Sequence, residues 1–298
     1  NMFKEQFAAH EILSSYNIAR NCDKVFVEAV THEQYEKLKS DDSFIVSKDE
    51  SLIVYKNTEI ILEENDVIFC HSSFINELFY LLKKVKTLRN IKLVTSQSDV
   101  SITKKLFSKK PNCISEWYSI NIDYKHPNLI PIPLGIANDY SPKNLRYIDF
   151  LHFKQRSTEL VDNIYCNFNP TTNNKERLGI YKLFEEDPLF KFEKATLSIN
   201  AYINKLSEFK FVLAPCGNGF DTHRLWEALY VGAIPIIREH ETYSHLDKRN
   251  VLIVEEYSKI NQDLLTKFIE KYNPIDQKLL KVSWWIELIN KNKITSDD

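Results

Sequence analysis

Glycine is scarce in this chain: 298 residues hold only Gly135, Gly179, Gly217, Gly219 and Gly232. No low-complexity tract is present. No stretch of about 20 apolar residues occurs, and nothing resembles a signal peptide, so the sequence offers no membrane-spanning helix. Asn1 ahead of Met2 reads as an addition to a native start at Met2, and cytoplasmic residence is the expectation. The five cysteines, Cys22, Cys70, Cys113, Cys166 and Cys216, form no CxxC and no paired spacing. An odd, dispersed set fits buried thiols in a reducing compartment, not a disulfide framework. Charge of one sign is missing too. Lys and Arg number 39 against 41 Asp and Glu, and no long like-charged run breaks the mixture, which excludes a nucleic-acid footprint. There is no HExxH, and the eight histidines lack ligand spacing, so no metal site is expected. A Walker loop and a GxSxG elbow are absent, which disfavours phosphoryl transfer from ATP and α/β-hydrolase chemistry.

What is present is alternation. Val67 to Cys70 runs into His71-Ser72-Ser73 and a helical stretch, and Ile91 to Thr95 runs into Ser96-Gln97-Ser98-Asp99 and another. Strand, polar turn, helix, strand predicts a parallel, doubly wound α/β sheet. Short strands or a meander are expected over 44–46, 52–55 and 59–62. Breakers crowd into Pro131, Pro133, Gly135, Asn138, Asp139, Ser141 and Pro142, which marks a domain boundary. Beyond it the alternation restarts with strands over 163–168, 190–192, 209–214, 233–237 and 251–254. The expected organisation is an amino-terminal Rossmann-like domain over 1–138 and a second over 139–275. A helix over 276–290, rich in Leu, Ile and Trp, is too apolar to lie free; packed across the domain interface it would be buried. Ligands of such open sheets sit outside the carboxyl ends of the strands, which places the chemistry in the cleft.

The remaining glycines concentrate in one place, with three of the five within sixteen residues. Phe211 to Ala214 is a strand, Gly217-Asn218-Gly219 a loop, and Asp221 or Thr222 an N-cap for the next helix. Gly232 stops that helix and Ala233 to Ile237 returns as a strand. A helix start above strand ends is an anion site by its free amides and dipole. His223 and Arg224 add donors in the first turn, and a guanidinium suits phosphate. Glu227 lies on the same face as Arg224, placed to accept from sugar hydroxyls. Phosphate donors followed by a carboxylate match a nucleotide's diphosphate and ribose. Taken alone, Arg224 and Glu227 also read as an ordinary i, i+3 pair. Arg177, in the helix after 163–168, is a further phosphate candidate or a solvated helix residue.

The pattern Pro215-x-Gly217-x-Gly219-x-Asp221-Thr222-x-Arg224-x-x-Glu227-Ala228-Leu229-x-x-Gly232-x-Ile234-Pro235-Ile236 resembles the donor-site motif of exostosin-like glycosyltransferases. More broadly it is similar to the carboxy-terminal domain of the GT-B fold, two facing Rossmann-like domains. The resemblance covers about thirty residues. It implies a transferase using a nucleotide sugar, usually a uridine diphosphate sugar, as co-substrate and a glycan hydroxyl as acceptor, with inversion at the anomeric carbon. It also implies that Arg224 binds the diphosphate and Glu227 the ribose. No Asp-x-Asp is present to hold manganese, and a helix dipole with an arginine can take the departing diphosphate without a metal. A base must deprotonate the acceptor, and His71 or Asp99, each in a turn facing the cleft, is the candidate. Each also reads as a helix-start residue. A non-catalytic nucleotide-sugar or glycan-binding module of the same fold would show the same motif. An epimerase- or dehydrogenase-like Rossmann protein is disfavoured, because the first strand lacks GxGxxG.

Overall fold

The computed structural model describes residues 2–153, 155–195 and 197–291. The amino-terminal half builds β1 (Lys24–Val30), β2 (Ser43–Lys48), β3 (Ile53–Asn57), β4 (Val67–His71), β5 (Ile91–Ser96), β6 (Ile102–Thr103), β7 (Ile114–Ser119), β8 (Ile122–Asp123) and β9 (Leu129–Pro131). Seven of them form one sheet in the order β2-β3-β1-β4-β5-β7-β9, and β6 pairs with β8 beside it. The run β1-β4-β5-β7-β9 is parallel, and β3 closes it as an antiparallel edge hairpin with β2. β5 is buried at every residue because both faces of the sheet are covered there. Its one lysine, Lys92, is paired with Glu116 of β7 at 2.5 Å. The expected strand over 59–62 does not form. Ile61 there is 78% exposed, and the backbone is tied to the Asp42 carboxylate through the Glu59 amide instead of to a strand neighbour.

The second half adds β10 (Val161–Cys166), β11 (Phe190–Phe192), β12 (Phe209–Leu213), β13 (Ile234–Arg238) and β14 (Leu252–Val254), all parallel, in the order β11-β10-β12-β13-β14. Counted within this sheet the order is 2-1-3-4-5, so the topological switch point lies between the carboxyl ends of β10 and β12. The helix Asn174–Phe184 follows β10, and His223–Val231 joins β12 to β13. Gly232 ends that last helix at φ 87°, a left-handed cap that favours glycine.

One hydrophobic cluster runs from the first sheet to the second. It includes Phe69, Val94 and Tyr118 on one side and Tyr165, Val212 and Trp226 on the other, together with Phe3, Phe7, Trp285 and Ile289 from near the chain ends. The carboxy-terminal helix expected over 276–290 is divided into a 3-10 turn, Gln277–Leu280, and an α-helix, Val282–Lys291. The break has a cause. Lys281 forms an antiparallel bridge with Ile12, and the Val282 amide donates to the Glu11 carbonyl at 2.8 Å. The α-helix then packs on Ser15–Arg20, and its Trp285 ring meets His245 of the second half edge-on. Two parallel-stranded α/β sheets with facing carboxyl edges and a final helix lying back across them make the GT-B architecture. Among the described residues no helix is long and apolar enough to cross a membrane.

Candidate functional site

The switch point is closed by one side chain. Arg177, from the helix after β10, donates Nε to the Cys216 carbonyl at 3.0 Å, Nη1 to that of Asn169 at 3.0 Å and Nη2 to that of Pro215 at 3.4 Å. Asn169 follows β10, while Pro215 and Cys216 follow β12, so this guanidinium sews the two strand ends together. A methyl at Gly217 would stand 3.3 Å from Arg177 Nη2, which is why glycine suits that position. Asn218 is exposed at the tip of the loop.

Arg224 lies near enough to Arg177 for the two positive charges to oppose one another. Burial first, then Arg224, bring the Arg177 pKa down to about 10. The Arg224 charge also acts on Tyr165 and Cys166 of β10 and on Tyr202, so it lies near the end of that strand. Its Nε is buried without a hydrogen-bond partner. Thr222 stands at the N-cap of the helix but makes no capping bond, and its Oγ1 is buried and unpartnered. Among the described residues, no side chain accepts from the first amides of the helix. A buried donor normally has a partner, and a helix start with free amides and an unpartnered guanidinium nitrogen has the chemistry to receive an anion.

Asp221 does a different task from a cap. It is buried and accepts from the Leu134 amide at 2.9 Å, the Thr222 amide at 2.9 Å and Trp226 Nε1 at 3.1 Å. It thereby staples the run Pro131–Gly135 to the loop. Burial raises its pKa to about 6, against the pull of these hydrogen bonds. His223 Nδ1 meets the Gly135 carbonyl at 2.8 Å on the same seam. Glu227 is 2% exposed, with one oxygen accepting from the Leu145 amide at 3.0 Å and the other from Tyr202 Oη at 2.9 Å. It sits one turn below Arg224 as spaced, but faces protein partners that the spacing did not reveal.

The first sheet meets the loop through the turns after β5 and β7. A methyl on Gly219 would come 2.8 Å from Asn121 Nδ2 and 3.1 Å from Asp99 Oδ1. Gly219 is thus a place of close approach. Asn121, in the left-handed region at φ 53°, accepts from the Asp221 amide at 2.9 Å. Ser98 Oγ, next to Asp99, is buried and unpartnered. Asp99 is exposed and does not cap the following helix; Thr103 Oγ1 does, by accepting from the Leu106 amide. His71 keeps its helix-start role: Nδ1 accepts from the Ser73 amide at 3.2 Å, and burial lowers its pKa to about 4. No contact joins His71 to the loop among the described residues. Farther along the seam the His240 ring stacks on Phe220 at 3.7 Å, with Nε2 3.3 Å from Asp123, and Thr242 Oγ1 accepts from the Ile122 amide. Asn121, with Tyr118, is a sequence candidate for lining the acceptor side, since an asparagine just beyond a strand tolerates positive φ. Ser98 and His240 were the residues least visible in advance. Among the described residues no cluster of three or more His, Cys, Asp or Glu is arranged to hold a metal ion.

Neither a protein-family model nor a curated protein sequence matches this chain. Among solved structures, the chain path is similar to that of an α1,3-fucosyltransferase crystallised with GDP. The TM-score is 0.39 and the identity 13%, over 98% of this chain and 96% of that one. It is similar also to the GtfA/B complex, with a TM-score of 0.34 and 12% identity over 79% of this chain and 55% of that one.

Proposed function

We propose that the protein is a glycosyltransferase that moves a sugar from a nucleoside diphosphate donor to a hydroxyl of a glycan acceptor. The observation that carries this is the close approach of Asp99, from the turn after β5, to the loop whose helix start holds Arg224 with its Nε buried and unpartnered. The diphosphate lies on the helix amides and Arg224, with Arg177 holding the loop in shape. Gly217, Asn218 and Gly219 let the backbone approach the donor. Asp221 and His223 fix the loop to the first domain, and Glu227 supports the helix face toward the ribose.

In the reaction the acceptor hydroxyl gives its proton to the Asp99 carboxylate while its oxygen attacks the anomeric carbon. The bond from that carbon to the diphosphate breaks, the electron pair leaves with the phosphate oxygen, and the configuration inverts. Arg224 and the helix dipole stabilise the charge that develops, in the place a metal would take. Asp99 is favoured over His71 as base because its carboxylate comes close to Gly219 of the loop and lies open to an acceptor.

Uridine diphosphate sugars are the first donors to offer, with guanosine diphosphate sugars beside them, given the ligand of the fucosyltransferase. Release of nucleoside diphosphate from the donor, alone and with glycan acceptors, is the assay. D99N is expected to lower turnover by about 100- to 10,000-fold, the usual worth of a general base, with donor affinity kept. Donor binding without sugar release under any acceptor would leave a binding module and refute the transferase.

A further inference from the structure

A cavity of about 520 Å³ lies on the far side of the second sheet from the loop. It opens between the Met2–Gln6 helix and the amino-terminal ends of β12 and β13, with Lys210 and Ile234 in its wall. β12 is five residues long, so roughly 16 Å of strand separates this cavity from the donor loop. The volume falls within the range of about 300–1,000 Å³ typical of small-ligand sites. Its walls are chiefly apolar. Phe3 and Phe7 meet Tyr230 at ring-centroid distances of 6.1 and 5.1 Å, and Leu229 adds an aliphatic side. Tyr230 turns its hydroxyl away from the cavity's needs, since Oη accepts from the Leu13 amide at 2.8 Å and donates to the Leu280 carbonyl.

Two cations stand in this apolar wall, Arg156 and Lys210. Arg156 donates to the Ser207 and Phe209 carbonyls, at 3.3 and 2.8 Å, and neither cation forms an ion pair with a carboxylate of the described residues. Burial of the guanidinium lowers its pKa, as expected of a charge without a counter-ion. Apolar walls with uncompensated positive charge complement one chemistry, an apolar chain ending in an anion.

We propose that this cavity binds a single-chain anionic amphiphile, its chain against Phe3, Phe7, Leu229 and Tyr230 and its head group at Arg156 and Lys210. The proposal does not depend on the transferase activity. Dodecanoate, dodecanol and dodecyltrimethylammonium, titrated calorimetrically below their micellar concentrations, test it. The expected result is one dodecanoate per chain, at least tenfold weaker binding of the other two, and at least a tenfold loss in K210E. R156M/K210M should lose more. K210E serves alone if loss of the Arg156 carbonyl contacts unfolds the double variant. Equal binding of the uncharged or cationic chains, several dodecanoates per chain, unchanged affinity in K210E, or no binding at all would each overturn it. So would competition between dodecanoate and a nucleoside diphosphate, which would put the amphiphile at the loop.

Discussion

Replacing Arg224 by methionine separates a binding role from a structural one. Its Nε is buried with no partner, and its charge opposes that of Arg177. An unsatisfied buried donor costs about 1–3 kcal/mol, and methionine fills the same volume without one. Taking the lower end, R224M should stabilise the free protein by about 1 kcal/mol, a rise of roughly 2 °C in Tm for a chain of this size. A bound diphosphate reverses the sign. A charge-assisted hydrogen bond is worth about 1.5–3 kcal/mol, so R224M should weaken uridine diphosphate binding by about 10- to 150-fold. Calorimetric titration with the nucleotide and a thermal melt without it, on the same preparation, read both effects. Unchanged nucleotide affinity, or a free protein melting several degrees below wild type, would refute an anion site at this helix start.

Asp221 gives a pH signature. Its folded pKa is raised from 3.8 to about 6, so the unfolded chain ionises first and stability is lost as pH rises through that window. Up to about 3 kcal/mol should disappear between pH 4 and pH 7 from this group, and urea melts of wild type minus D221N should show it; a difference flat with pH would contradict the raised pKa. Tyr230→Phe leaves the Leu13 amide and the Leu280 carbonyl without their shared hydroxyl, and should cost about 2–4 kcal/mol in a urea melt.

The parallel sheets were legible because their strands are largely apolar runs followed by polar turns, as in β4 and β5. The Gly217–Gly232 segment was legible because glycine is rare elsewhere and Gly232 sits where a helix must stop. What could not be read were partners distant in the chain. Gly219 is required by Asn121 and Asp99, about a hundred residues away, and not by its own backbone angle. Glu227 finds Leu145 and Tyr202, and Arg177 finds three carbonyls, none of which leaves a periodic mark. The helix break at Lys281 has the same origin, since only the fold brings Ile12 beside it.

The peptide around Leu13 has a consequence for how the protein is made. Its amide takes the Tyr230 hydroxyl, its carbonyl takes the Ile136 amide at 2.9 Å, and a methyl on Gly135 would strike that carbonyl at 2.3 Å. Tyr230 emerges from a ribosome 217 residues after Leu13, an interval of roughly 10–40 s at ordinary rates of synthesis. For that time the first sheet can form while Phe3, Phe7 and Leu13 wait without their covering. A nascent chain stalled before Tyr230 should therefore display these apolar side chains to chaperones, and lose that exposure once the last helix is released.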